Sequence, residues 1–295
     1  MKEKLQEENR KQHKKEEKEE SQKKRDSELE KTETSDEDSA KSHGEILKQQ
    51  INEGLQTFKK TSMSIWLSSF TAGLEIGFSF LLICTLHSFL LGKVSEETIF
   101  KLMAIVYPVG FIMVLGGQSI LFTEQTSLLT LPVLNKKASA RTLFKTWGIV
   151  IFGNLIGGCL MALLLIWIGP KLGIFELNSV ETIAEHVTKY KFEVILVSAI
   201  LAGWLMGLLS WLVAASKESI SRIFIVYLIT GVLAFAGLHH SIVGNVEVFA
   251  GLVSSPNIHL QDYLVFQATA LIGNALGGTI FVALLKYRAF VYNAT

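Results

Sequence analysis

The chain has 295 residues, 49% of them hydrophobic, with a mean hydropathy of +0.37 and a formal net charge of +1. That is too apolar for an ordinary soluble domain. Fifteen of the 28 Lys and Arg and sixteen of the 27 Asp and Glu fall in residues 1–60, so the rest is sparsely charged and the overall charge identifies no partner.

Residues 1–44 contain runs such as KKEEKEE and TSDEDSA and bury too little apolar surface to offset chain entropy. They predict a disordered, solvated cytoplasmic tail with at most transient helix, and their balance of Lys and Glu argues against nucleic acid as a partner. No short apolar core followed by small cleavage-site residues precedes Ser62, so the first hydrophobic segment is expected in the mature protein. Over residues 45–60, Leu47, Ile51, Leu55 and Phe58 recur on one helical face. This predicts an amphipathic surface helix, on the membrane or under the helix bundle.

Residues 61–288 predict an all-α membrane domain. Apolar runs long enough to cross a lipid bilayer lie at about 62–91, 102–134, 143–169, 194–215, 223–253 and 263–285, leaving 289–295 as a short cytoplasmic C-terminus. The second and fifth runs are too long for one straight helix and carry glycine and polar residues near their centres. Both read as helices broken at membrane depth, where a break is tolerated only inside protein or beside a cavity. Cys84 and Cys159 lie within crossings and read as packing residues. No nucleophile and base at recognisable spacing, no phosphate-binding glycine loop and no metal-ligand spacing appears, so the sequence predicts no enzyme, no cofactor and no metal.

Loop charges give the orientation. The 2–3 connection carries Lys136, Lys137, Arg141 and Lys145, the 4–5 connection Lys217 and Arg222, and the C-terminal end Lys286 and Arg288. The opposite loops are balanced or lack basic residues, so both termini are expected to be cytoplasmic.

The first three crossings resemble the last three. TAGLEIGFSF at 71 matches LAGWLMGLLS at 201, and GNLIGG at 153 matches GNALGG at 273. Tyr107 and Tyr227 open the long segments, and Ser119–Glu124 (SILFTE) is set against Ser241–Glu247 (SIVGNVE). Units of three crossings enter the membrane from opposite sides, which predicts an inverted 3+3 repeat with the site where the two breaks meet.

The order of LFT at Leu121–Thr123, FGNLIGG at Phe152–Gly158, GLHHSI at Gly237–Ile242 and IGNALGG at Ile272–Gly278 resembles the formate/nitrite transporter family over about residues 45–288. The resemblance implies an aquaporin-like, six-helix protomer and a homopentamer with one pore per subunit, in a bacterial-type plasma (inner) membrane. It also implies passage of small monovalent anions or their conjugate acids. It sets Thr123 against a central histidine, His240. The sequence departs from the family pattern in having His239 where a glutamate is usual and Gly203 where an asparagine is usual. No lysine stands in strict register with the family's pore-mouth lysine, a role for which Lys189 and Lys191 are the candidates.

An imidazole can be neutral or charged at modest cost near neutral pH, and a bare anion faces a large desolvation cost in a dry constriction. His240 beside Thr123 is therefore the candidate to hydrogen-bond or protonate the substrate. Leu121 and Phe122 on one break and Leu238 and Val243 on the other are the candidate apolar rings. His239 has two readings: pore residue, or neutral histidine bonded to a freed carbonyl. Thr123 and Asn245 are expected N-caps of the second half-helices, with Glu124 and Glu247 as structural acids in the following turn or as a proton relay. Asn154 and Asn274 are expected to bond backbone freed at the breaks. A neutral-solute channel and a non-transporting scaffold acting through the charged tail remain the alternative functions.

Overall fold

The computed structural model describes residues 2–31 and 41–294, and among these the only regular structure is helical. Five helical stretches are long and apolar enough to cross a membrane: Ser62–Leu90, Glu96–Gly117, Ala140–Lys171, Phe192–Ala215 and Leu260–Tyr292. The fifth predicted crossing is formed by two shorter apolar helices, Ser219–Phe235 and Ser241–Ser254.

Helix α1 (Lys2–Lys31) occupies much of the predicted tail. It differs from the expectation of solvated chain because pairs such as Lys11–Glu7 (2.8 Å) support an exposed helix and its last turns find a partner. Leu29 is buried in a cluster with Leu47, Ile51, Leu131 and Trp211, and Asp26 pairs with Lys137 at 3.2 Å. The TSDEDSA segment lies outside the described residues. Helix α2 (His43–Lys59) starts at a Ser42–Glu45 capping box. On its apolar face Leu47 and Ile51 are buried against Leu131 and Trp211 of the bundle.

The first repeat consists of α3 (Ser62–Leu90), a second crossing in pieces and α8 (Ala140–Lys171). The pieces are α4 (Glu96–Leu102), a 3-10 turn at Met103–Ile105, α5 (Pro108–Gly117), α6 (Phe122–Leu128) and α7 (Thr130–Leu134). After α9 (Leu177–Thr188), the second repeat follows as α10 (Phe192–Ala215), the broken pair α11 (Ser219–Phe235) and α12 (Ser241–Ser254), and α13 (Leu260–Leu276). A π-helical stretch at Gly277–Leu284 and α14 (Leu285–Ala294) complete the chain. In each repeat the outer helices cross at glycine. A methyl group on Gly73 would fall on the Asn154 carbonyl oxygen, and one on Gly203 on that of Asn274.

The two breaks share one backbone geometry. After α5, Gln118 N donates to Leu115 O and Ser119 N to Val114 O; after α11, Gly237 N donates to Ala234 O and Leu238 N to Leu233 O. Gln118 and Gly237 both adopt left-handed backbone, φ 54° and 67°. Leu121 (φ −101°, ψ 127°) and His240 (φ −105°, ψ 124°) are both extended residues preceding the next half-helix. These pairs stand 119 residues apart, which corrects the alignment of Ser119 with Ser241: Ser241 corresponds to Phe122. The shared serine misled because an apolar neighbour follows it in both halves.

Candidate functional site: the meeting of the two breaks

Each break is held by the asparagine of its own repeat. Asn154 Oδ1 accepts the Phe122 amide at 2.8 Å, while its Nδ2 donates to Ser69 O (2.7 Å) and Ile120 O (2.9 Å). Asn274 Oδ1 accepts the Ser241 amide at 2.8 Å, and its Nδ2 donates to Ala199 O (2.8 Å) and His239 O (3.1 Å). Interrupted helices leave amides and carbonyls without partners in a medium that offers no water, and one amide side chain satisfies both kinds at once.

This arrangement changes the capping expected from sequence. The N-cap of α6 is Leu121, without a side-chain cap, and that of α12 is His240. Thr123 and Asn245 lie inside the helices instead, because the asparagines on α8 and α13 already take the first amides. Asn245 donates from Nδ2 to Leu155 O (3.2 Å) and accepts from Tyr263 Oη (2.7 Å), joining α12 to α8 and α13.

The N-terminal ends of α6 and α12 meet through a hydrogen bond of 2.9 Å between Thr123 Oγ1 and His240 Nε2. Both residues are buried, and the imidazole sits edge-on to Phe111, ring centroids 5.1 Å apart. Val243 N donates to His240 Nδ1 at 3.2 Å. An Nδ1 that accepts carries no proton, so the neutral ring is the Nε2–H tautomer and donates to Thr123 Oγ1. The Thr123 hydroxyl proton is then left for another acceptor.

His239 is committed elsewhere. Ser198 Oγ bonds its Nδ1 at 2.8 Å and accepts its backbone amide at 3.1 Å, and its Nε2 bonds Val187 O at 3.1 Å. The carbonyl belongs to the segment leading out of the third crossing, not to the broken helix. Ser198 was legible only through the repeat, since it corresponds to Ser68, whose carbonyl accepts the Ile120 amide in the first break.

A cavity of about 430 Å³ runs from the loops to His240, lined on the way by Tyr107, Leu238, His239 and Glu247. Lys189 reaches this lining and Lys191 does not. At the mouth, Phe100 of α4 stacks on His186 of α9 with centroids 3.6 Å apart, and Lys189 Nζ lies 3.2 Å from His186 Nδ1. Burial first, and Lys189 second, hold the His186 imidazole down at about 4. Leu121, Phe122 and Val243 are buried in the main core beyond the cavity lining, with Phe122 edge-on to Trp147 at 5.7 Å. Glu124 lies in the first turn of α6 and has Glu53 of α2 as its electrostatic neighbour. Glu247 lies in the middle of α12, so the two acids are not repeat counterparts.

Two broken crossings, inverted relative to each other and joined by a buried polar pair below an open cavity, define a membrane channel or transporter. The sequence profile described as "Formate/nitrite transporter" matches residues 44–288. The chain belongs to that family. It is 29% identical over 259 residues to inner membrane protein YfdC of Escherichia coli (strain K12), covering 85% of this chain and 80% of that protein. In three dimensions it resembles a solved FNT family ion channel (TM-score 0.72, 23% identity, 83% of this chain and 98% of that one). It also resembles a pentameric formate channel with formate bound (TM-score 0.66, 18% identity, 78% and 97%).

Proposed function

We propose that the chain conducts formate, nitrite or a similar small monovalent anion, or its conjugate acid, through one pore per subunit of a homopentamer in a bacterial inner membrane. Both termini face the cytoplasm in this reading, as the basic 2–3 and 4–5 connections require. The observation that carries it is the Thr123–His240 bond at the meeting of the half-helices. The N-terminal end of α12 contributes partial positive charge there, and the Thr123 hydroxyl has a proton to offer an anionic oxygen. The formate channel among the structural relatives and the family's own description favour this substrate class.

The neutral ring orients Thr123. Assisting substrate protonation requires a further step: a proton must first add at Nδ1, which displaces the Val243 amide and uncaps α12. The hydrogen-bonding role is therefore the lower-cost one, and proton transfer through Thr123 couples to movement at the start of α12.

Uptake of formate, nitrite, acetate and hydrosulfide into proteoliposomes, at two pH values, tests the proposal. Wild-type protein is expected to carry at least one of them, faster at acid pH, and His240→Ala to lose uptake while remaining oligomeric. Uptake indifferent to pH and to His240 would reject this reading in favour of a neutral-solute channel.

A further inference from the structure

Glu247 is a buried acid on the cavity wall that takes no part in the Thr123–His240 bond. Its side chain is 8% exposed and lines the cavity, and among the described residues it has no hydrogen bond and no ion pair. His240, Gly244 and Glu247 all line the same cavity, at spacings of four and three that put them on one face of α12. Glu247 stands two turns, about 10 Å of helix rise, from His240. Gly244 lies between them, and the Phe266 ring, which also lines the cavity, fills the space a side chain there would take.

The groups around Glu247 do not neutralise it. Cys84 of α3 and Tyr107 before α5 are its electrostatic neighbours, and both are uncharged as thiol and phenol. From α4, Lys101 donates to Phe235 O at 2.9 Å, while Glu96 and Glu97 add negative charge at the mouth. From α9, Lys189 lies against His186 and over the Tyr190 ring. In the break, His239 is bonded to Ser198 and Val187. Cys159 on α8 and Tyr263 on α13 are bonded to Asn245, two residues before Glu247.

We infer that Glu247 is a substrate-contacting, selectivity-determining residue: as the carboxylic acid it donates a hydrogen bond to the anion on its way to Thr123 and His240, and as the carboxylate it repels that anion. This rests on the anion-pore reading above. No bond to the substrate is made or broken, and the proton stays on Glu247 unless it exchanges with cavity water. The pH dependence of flux then follows the occupancy of one protein group, so weak acids of different strength share one midpoint. Free diffusion of the conjugate acid instead gives each substrate its own.

The test is initial uptake of formate and of acetate over a pH series, in proteoliposomes of the full chain. Wild type should give one common midpoint. Glu247→Gln keeps a donor and cannot ionise, so its flux at neutral pH should rise to the wild-type acid plateau and lose its pH dependence. Glu247→Met, without charge or donor, should be equally flat in pH but about tenfold slower, the scale of one hydrogen bond to a charged acceptor. Gel filtration of both variants shows whether they assemble, and either assembled variant decides the point. A wild-type pH profile retained in an assembled variant, or midpoints that track each substrate's acidity, overturns the assignment and leaves the anion pore standing. Absence of anion uptake by wild type removes both.

Discussion

The asparagine clamps give the sharpest stability prediction. Asn154→Ala removes three bonds to fully buried groups, at 2.7, 2.8 and 2.9 Å, and Asn274→Ala removes the corresponding three. Side-chain hydrogen bonds within membranes are worth about 0.6 kcal/mol on average and about 1.7 at most, so three of them set a loss of about 2 to 5 kcal/mol. Asn154→Leu separates this loss from that of side-chain volume, because it fills the space without restoring a partner to the Phe122 amide. It should recover little of the stability. Equilibrium unfolding in mixed micelles, followed by circular dichroism, measures all three. The two alanine variants should agree, because the bonds are duplicated atom for atom. A change within the roughly 0.5 kcal/mol of an ordinary surface substitution would refute the idea that these side chains hold the breaks.

Gly237→Ala should cost about 1 to 2 kcal/mol from left-handed backbone alone, because the space around it is open, and the same unfolding titration reads this. Gly73→Ala meets the Asn154 carbonyl and the Gly158 amide nitrogen (2.7 Å), so assembled protein should be lost on gel filtration. His239→Ala should lower stability by about 1 kcal/mol by removing its bonds to two half-buried partners, Ser198 Oγ and the Val187 carbonyl, while the order of preference in anion uptake stays unchanged. His186 titrates at about 4 in the folded protein against 6.5 for a free imidazole, so the unfolded chain binds more protons between those values. Its contribution is complete above 6.5 and is lost as pH falls toward 4, and melting curves of His186→Phe should show a correspondingly smaller acid destabilisation.

Much of the fold was legible because lipid imposes length and periodicity. The two overlong apolar segments announced their breaks, and the paired GN motifs marked the residues that secure them. The pairing of Thr123 with His240 came from family resemblance, since residues 117 apart give no local sign of contact. Capping differed from the local rules because an asparagine of a neighbouring helix takes the first amide of each half-helix, and α12 adds His240 where those rules favour Ser, Thr, Asp or Asn. The role of His239 depended on Ser198 and the Val187 carbonyl, both far away in sequence. Docking of the charged N-terminal helix through Leu29 escaped notice because one leucine in a polar run has no periodic signature.

Each asparagine clamp closes entirely within its own half of the chain: Asn154 on Ser69, Ile120 and Phe122, Asn274 on Ala199, His239 and Ser241. Each half therefore carries its own complete scaffold for its break. The threonine–imidazole contact belongs to neither copy, because the counterpart of His240 is Leu121 and that of Thr123 is Ile242. The bend could stay identical while selection worked on the two positions facing each other across the seam. What the halves share holds the bends, and where they differ lies the polar contact between them.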